Sequence, residues 1–156
     1  GSGNIYAPFG NEMVDKLQDQ YPVVVITINY RLNVFGFLGS REIMQRSTDK
    51  SAGNFGIQDQ RLAMLWVRNH IAAFGGDGNA LTIFGESAGG NSVFNHLAQP
   101  ASFKLYRNAI IESGAYNNGA NSFPIAQRKF DELLAATNCT DLDCLLALEA
   151  STLEKI

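Results

Sequence analysis

Apolar positions along the chain alternate between short β-branched runs and longer stretches with helical spacing. Residues 11–20 are mostly polar, with Met13, Val14 and Leu17 at three-to-four spacing, which predicts a short amphipathic helix. Val23-Val24-Val25-Ile26-Thr27-Ile28 follows Pro22 as a nearly unbroken β-branched run, the pattern of a strand buried on both faces of a parallel sheet. Residues 36–55 mix Gly, Ser, Asn and charges without a sustained period, and predict a long irregular connection. Residues 57–74 place Leu62, Leu65, Trp66, Ile71 and Ala72 at helical spacing, with Trp66 assigned to the core. Gly75-Gly76-Asp77-Gly78 ends that helix with residues suited to positive φ. A second strand over 81–84, a helix over 88–98 stopping before Pro100, a third strand over 108–112 and a proline-opened helix over 124–137 follow. One or two short helices are expected in 142–156. Strands separated by helices, repeated three times, predict an α/β architecture with a mainly parallel sheet flanked by helices.

Composition narrows this picture. With 156 residues, 46% hydrophobic and 17% charged, the chain suits one globular domain or a piece of one, and no repeat or low-complexity tract divides it. A net charge of −3 with Lys and Arg scattered among acids provides no basic stripe, so neither nucleic acid nor an anionic membrane is an expected partner. No apolar run approaches the roughly 20 residues that span a bilayer.

Cys139 and Cys144 lie close enough to close a small loop and lack the further ligands that zinc requires. A local disulfide is the favoured expectation, with a pair of free thiols as the alternative. Asn138-Cys139-Thr140 is also a glycosylation sequon, which gives slight support to a secretory route for the protein without excluding the cytoplasm.

The candidate chemistry lies in Gly85-Glu86-Ser87-Ala88-Gly89. A Gly-x-Ser-x-Gly match alone is weak, but here a predicted strand runs into it and a predicted helix leaves it, the strand–turn–helix of a nucleophile elbow. Such a turn holds the serine in a strained backbone so that its hydroxyl projects from the sheet edge. Gly85, Gly89 and Gly90 are expected to remove collisions with the neighbouring strand and helix. The same geometry sets the backbone N–H of Ala88, at a helix N-terminus, beside the carbonyl under attack. Ser87 is thus the expected nucleophile and Ala88 an expected oxyanion donor. The competing interpretation is a glycine-rich turn whose serine merely caps a helix.

Five segments in order resemble type-B carboxylesterases and cholinesterases: Asn29-Tyr30-Arg31-Leu32, Phe35-Gly36-Phe37-Leu38, Gly53 through Ala63, Phe74-Gly75-Gly76-Asp77, and Thr82 through Gly90. The resemblance fades after about Ser122, where the Cys139 and Cys144 pair resembles a family disulfide loop. Gly78, where the family usually has proline, Lys104, where it often has glycine, and Asn33, where glycine is frequent, depart from the pattern away from the elbow.

The resemblance implies an α/β-hydrolase fold, of which residues 1–156 are an incomplete, central portion of one domain. It implies serine-dependent hydrolysis of small carboxylic esters through an acyl-enzyme, with no cofactor. The family's catalytic acid and histidine follow the serine at a greater distance than this chain extends, and Gly1-Ser2-Gly3-Asn4 resembles the tail of its other oxyanion loop. His96, on the predicted helix of Ser87, is about 13 Å along its axis from the serine and cannot serve as the base. His70 precedes Ser87 and breaks the family's order, so both histidines are expected to be structural or on the surface. Glu86 is expected to tune a gorge electrostatically, and Ser113 to stand behind the catalytic acid and histidine. Arg31 and Asp59 resemble an ion pair bracing the long loop. The other class of function weighed is a cholinesterase-like adhesion or scaffold domain without turnover.

Overall fold

The computed structural model describes residues 7–114 and 120–155. The described residues of 1–30 and 57–118 form one compact unit, and those of 31–56 and 119–156 form another.

In the first unit, helix α1 (Ala7–Leu17) begins before the predicted span and stops at Leu17. The run Val23–Ile28 forms no strand, contrary to the sequence pattern. A strand exists only by pairing, and the described sheet has two strands, β1 (Thr82–Glu86) and β2 (Asn108–Glu112), joined in parallel with Thr82 opposite Asn108 and Glu86 opposite Glu112. Residues 25–30 instead line one side of a cavity of about 650 Å³ whose other walls include Thr82 to Glu86. Helix α5 (Ala88–Ala98) connects the two strands and packs on both, as the sequence predicts.

Helix α4 (Phe55–His70), continued by a tight 3-10 turn over Ile71–Phe74, buries Ile57, Gln60, Met64, Val67 and Ile71. That stripe is a true three-to-four repeat. It leaves Leu62, Leu65 and Trp66 on other faces, with Trp66 50% exposed, so the assignment of Trp66 to the core is corrected. Gly75 ends the turn at φ 80°, in the left-handed region its lack of a Cβ allows. At Gly78, where the family usually has proline, a Cβ would come within 3.0 Å of Arg68 Cα and closer to the Arg68 carbonyl, so close backbone approach explains the glycine.

The second unit is helical. The stretch expected to be irregular contains α2 (Asn33–Phe37) and α3 (Arg41–Arg46). Both are too short for a hydrophobic period to register. Ser40, fully buried, starts α3 by accepting a hydrogen bond from Ile43 N at 3.1 Å. Asn33 has φ 49°, a conformation asparagine tolerates better than most residues, which accommodates its departure from glycine.

Helix α6 (Phe123–Thr137), with proline in its first turn, ends at Asn138 in the left-handed conformation. The short helices α7 (Leu142–Ala147) and α8 (Ala150–Leu153) follow, as expected. Phe130, Leu133, Cys139 and Leu145 form the core, with Val34, Leu38 and Ile43 packed against it. Arg31 lies over the Phe55 ring at 5.2 Å, a cation–π contact.

Cys139 and Cys144 form a disulfide that closes a loop with a separation of 5 residues, and Cys139 belongs to the core. Loop-closure entropy for so short a loop gives about 2 kcal/mol of stability. The double variant Cys139→Ser/Cys144→Ser is expected to lose that amount in urea unfolding, and intact mass to rise by two hydrogens on reduction. Unchanged stability would contradict the loop-closure account, and an unchanged mass would contradict the bond.

Candidate active site

Ser87 occupies the junction between β1 and α5 with φ 51° and ψ −111°, a left-handed backbone that a serine adopts only when its surroundings impose it. Two features impose it here. Ser87 N donates to Glu112 O at 2.9 Å, tying the turn to the end of β2, and Asn91 N donates to Ser87 O at 2.9 Å, tying it to the first turn of α5. The Ser87 side chain makes no capping hydrogen bond, so the helix-cap interpretation of this serine fails. Its residue is exposed, as are Glu86 and Ala88 on either side.

The glycines divide by cause. A Cβ on Gly85 would lie 2.8 Å from Gly89 Cα and nearer still to the Gly89 carbonyl, because the strand end and the helix start are in backbone contact. A Cβ on Gly90 would lie 2.8 Å from Glu112 O. At Gly89 nothing lies within 4 Å of a Cβ, so the expected collision there is absent. Gly89 matters as the backbone that Gly85 touches.

Ser113 follows Glu112, the register partner of Glu86, so the two serines stand side by side at the C-terminal ends of neighbouring parallel strands. Ser113 also has positive φ, at 53°, and a Cβ on Gly114 beside it would lie 2.9 Å from Asn91 N. Glu86 and Glu112 both line the cavity described above, together with Gly85 and Gly89. Ala88 opens α5, and the first N–H groups of a helix have no acceptor within it.

One histidine is on the surface and the other is buried in the structure, within the expectation of a structural or surface role for each. His70 is exposed and sits against Trp66, ring centroids 5.0 Å apart. His96, 3% exposed, uses both ring nitrogens: Nδ1 is 2.9 Å from Ser102 Oγ and Nε2 is 3.0 Å from Gln60 Oε1. Burial, and then the positive charge of Arg61, lowers its pKa to about 4. An unfolded chain binds a proton on this histidine near pH 6.5, whereas the folded chain does not, so stability falls as pH drops from about 6.5 towards 4. Thermal melts across that window should show this decline, and His96→Gln should flatten it. An equal slope in the variant would contradict the assignment.

Gln60, Ser92 and Ser102, which partner His96 directly or through one another, were not singled out by sequence. They lie on separate elements and follow no spacing rule. Asn138 is exposed, with its backbone already serving as the left-handed cap of α6. Gly1 to Asn4, the proposed loop tail, lies outside the described residues. Among the described residues no group of three or more His, Cys, Asp or Glu could hold a metal ion, and no helix is long and apolar enough to cross a membrane.

Comparison with known proteins places this geometry in a family context. A sequence model of the Carboxylesterase family matches residues 3–156. The chain is 42% identical over 141 residues to a juvenile hormone esterase of Tribolium castaneum, covering 84% of this chain and 23% of that protein. It is 46% identical over 116 residues to a para-nitrobenzyl esterase of Bacillus subtilis, covering 72% of this chain and 23% of that one. Among solved structures, a carboxylesterase of Geobacillus stearothermophilus superposes with a TM-score of 0.77 at 39% identity, over 88% of this chain and 30% of its own. The chain therefore spans about a quarter of the length of the curated relatives it matches.

Proposed function

Because the chain belongs to the carboxylesterase family and has its α/β-hydrolase fold, we propose that it supplies the nucleophile and one oxyanion donor of a serine esterase acting on small carboxylic esters. The observation that carries this is the backbone of Ser87, held at positive φ between a strand end and a helix start with its hydroxyl committed to no cap. Ser87 Oγ attacks the ester carbonyl carbon while a general base takes its proton, and the carbonyl oxygen becomes an oxyanion facing the Ala88 N–H. Collapse expels the alcohol and leaves an acyl-serine, which water hydrolyses by the same steps in reverse roles.

Neither histidine of this chain is the base. His96 has both nitrogens engaged, and His70 stands at the far end of α4. The base and its acid partner belong to the part of the relatives' length that this chain does not span. Ser113, one residue past Glu112 as Ser87 is one past Glu86, stands behind the catalytic acid and histidine, and Glu86 tunes the site electrostatically. Residues 1–156 are part of one hydrolase domain in this reading, which a family match over residues 3–156, through both compact units, supports. The Cys139–Cys144 disulfide supports passage through an oxidising, secretory compartment.

The test is hydrolysis of a short-chain p-nitrophenyl ester by the complete protein, with a fluorophosphonate probe mapped by mass spectrometry. Turnover with the probe on Ser87 is expected. A silent protein that leaves Ser87 unlabelled would sink the esterase proposal and favour an adhesion or scaffold domain.

A further inference from the structure

A file of four hydrogen bonds crosses the unit that carries Ser87, and the direction of each bond follows from one end. Ser92 Oγ donates to Ala88 O at 3.1 Å, which uses the only proton of that hydroxyl. Towards Gln60 the same oxygen must therefore accept, and Gln60 Nε2 donates to it at 3.0 Å. The amide oxygen of Gln60 is then turned to His96, 3.0 Å from Nε2, and can only accept. So Nε2 carries the proton of the neutral imidazole, Nδ1 is bare, and Ser102 donates its hydroxyl to Nδ1 at 2.9 Å. All four donors point the same way, from Ser102 through His96, Gln60 and Ser92 to the Ala88 carbonyl.

Ser102 is fully buried, His96 is 3% exposed and Gln60 5%, so water does not compete along most of the file. A satisfied, buried polar chain of this kind allows one arrangement and penalises others by leaving a group unpaired. Its end point is the residue after the nucleophile. Asn91 N fixes the Ser87 carbonyl, which shares a peptide plane with the Ala88 N–H, and Ser92 Oγ fixes the carbonyl of the next plane. The two planes that flank Ala88 are held from both sides.

We propose that Ser102, His96, Gln60 and Ser92 are positioning residues that hold the Ala88 N–H on the developing oxyanion. Their role depends on Ser87 being the nucleophile. Gln60, Ser92 and His96 also line the cavity beside β1, and the role proposed for them runs through the first turn of α5.

In the complete protein, Ser92→Ala is expected to lower kcat about tenfold with little change in KM, since losing one oxyanion donor outright costs roughly 10²–10³ and this variant only loosens its aim. Affinity for a trifluoromethyl ketone, which forms the tetrahedral adduct, should fall in parallel, and Ser92→Thr, which keeps the hydroxyl, should restore both. A loss of thermal stability alone would not move the ratio of inhibitor affinity to KM. Long-range proton–nitrogen spectra should show His96 as the Nε2–H tautomer.

Unchanged kcat and inhibitor affinity in Ser92→Ala, with Ser87→Ala inactive, would overturn the positioning role and leave the nucleophile in place. An active Ser87→Ala would instead overturn the nucleophile and the positioning role together. The Nδ1–H tautomer would reverse the file and overturn its direction.

Discussion

Replacing Ser87 by alanine in the complete protein is expected to lower kcat/KM for a p-nitrophenyl ester by about 10⁴–10⁶-fold, leaving a residue of catalysis from binding and the oxyanion donor. The loss should be almost purely kinetic. Ser87 makes no side-chain cap bond to α5, so alanine removes no hydrogen bond from the helix start. The left-handed backbone at φ 51° costs alanine and serine similar amounts, because both carry a Cβ. Thermal stability should then change by less than about 0.5 kcal/mol, as for an exposed substitution away from packing. Turnover that survives in Ser87→Ala would assign the chemistry to another group. A large drop in stability would mean the hydroxyl anchors the turn, returning Ser87 to a capping role.

The elements that could be read from sequence were those bounded by residues with a local steric effect. Helix α5 and strand β2 occupy their predicted spans, set by the elbow glycines and Pro100 for the first and by a compact apolar run for the second. Helix α6 begins one residue earlier than expected, with its proline still in the first turn. Features decided by distant partners were not legible. The Val23–Ile28 run has the composition of a strand, yet strand formation needs a ladder, and β1 pairs only with β2 in the described sheet.

On α4 the apolar residues are numerous enough to support two phases. The buried one includes a polar residue, Gln60, because His96 and Ser92 satisfy it, while Trp66 is left half exposed. Within the site, the sequence indicated the strained turn around Ser87, since such a turn leaves glycines in its wake. It could not indicate the polar file behind them: His96 and Gln60 are 36 positions apart, and only the fold brings them together.

The glycines of the elbow offer the second large effect, as a contrast between neighbours. Gly85→Ala would set a methyl group 2.8 Å from Gly89 Cα and closer to the Gly89 carbonyl, against backbone that cannot rotate away. Relief requires α5 to retreat from the end of β1. That would stretch the Ser87 N to Glu112 O bond of 2.9 Å and turn the Ala88 N–H off its target. Overpacking of this kind costs about 3 kcal/mol, and esterase activity should fall at least about 100-fold, since small misplacements at a reacting centre are amplified.

Gly89→Ala meets open space, with nothing within 4 Å of its Cβ, and lies inside a helix, where alanine is favoured by about 0.5–1 kcal/mol. Thermal or urea melts of the two variants of this chain should therefore move in opposite directions. Equal destabilisation would show that something covers Gly89, and a stable Gly85→Ala would show that α5 can shift without cost. In that second case the strained serine would no longer be held by the contact between Gly85 and Gly89, and its positive φ would have to be imposed by the bonds to Glu112 and Asn91 alone.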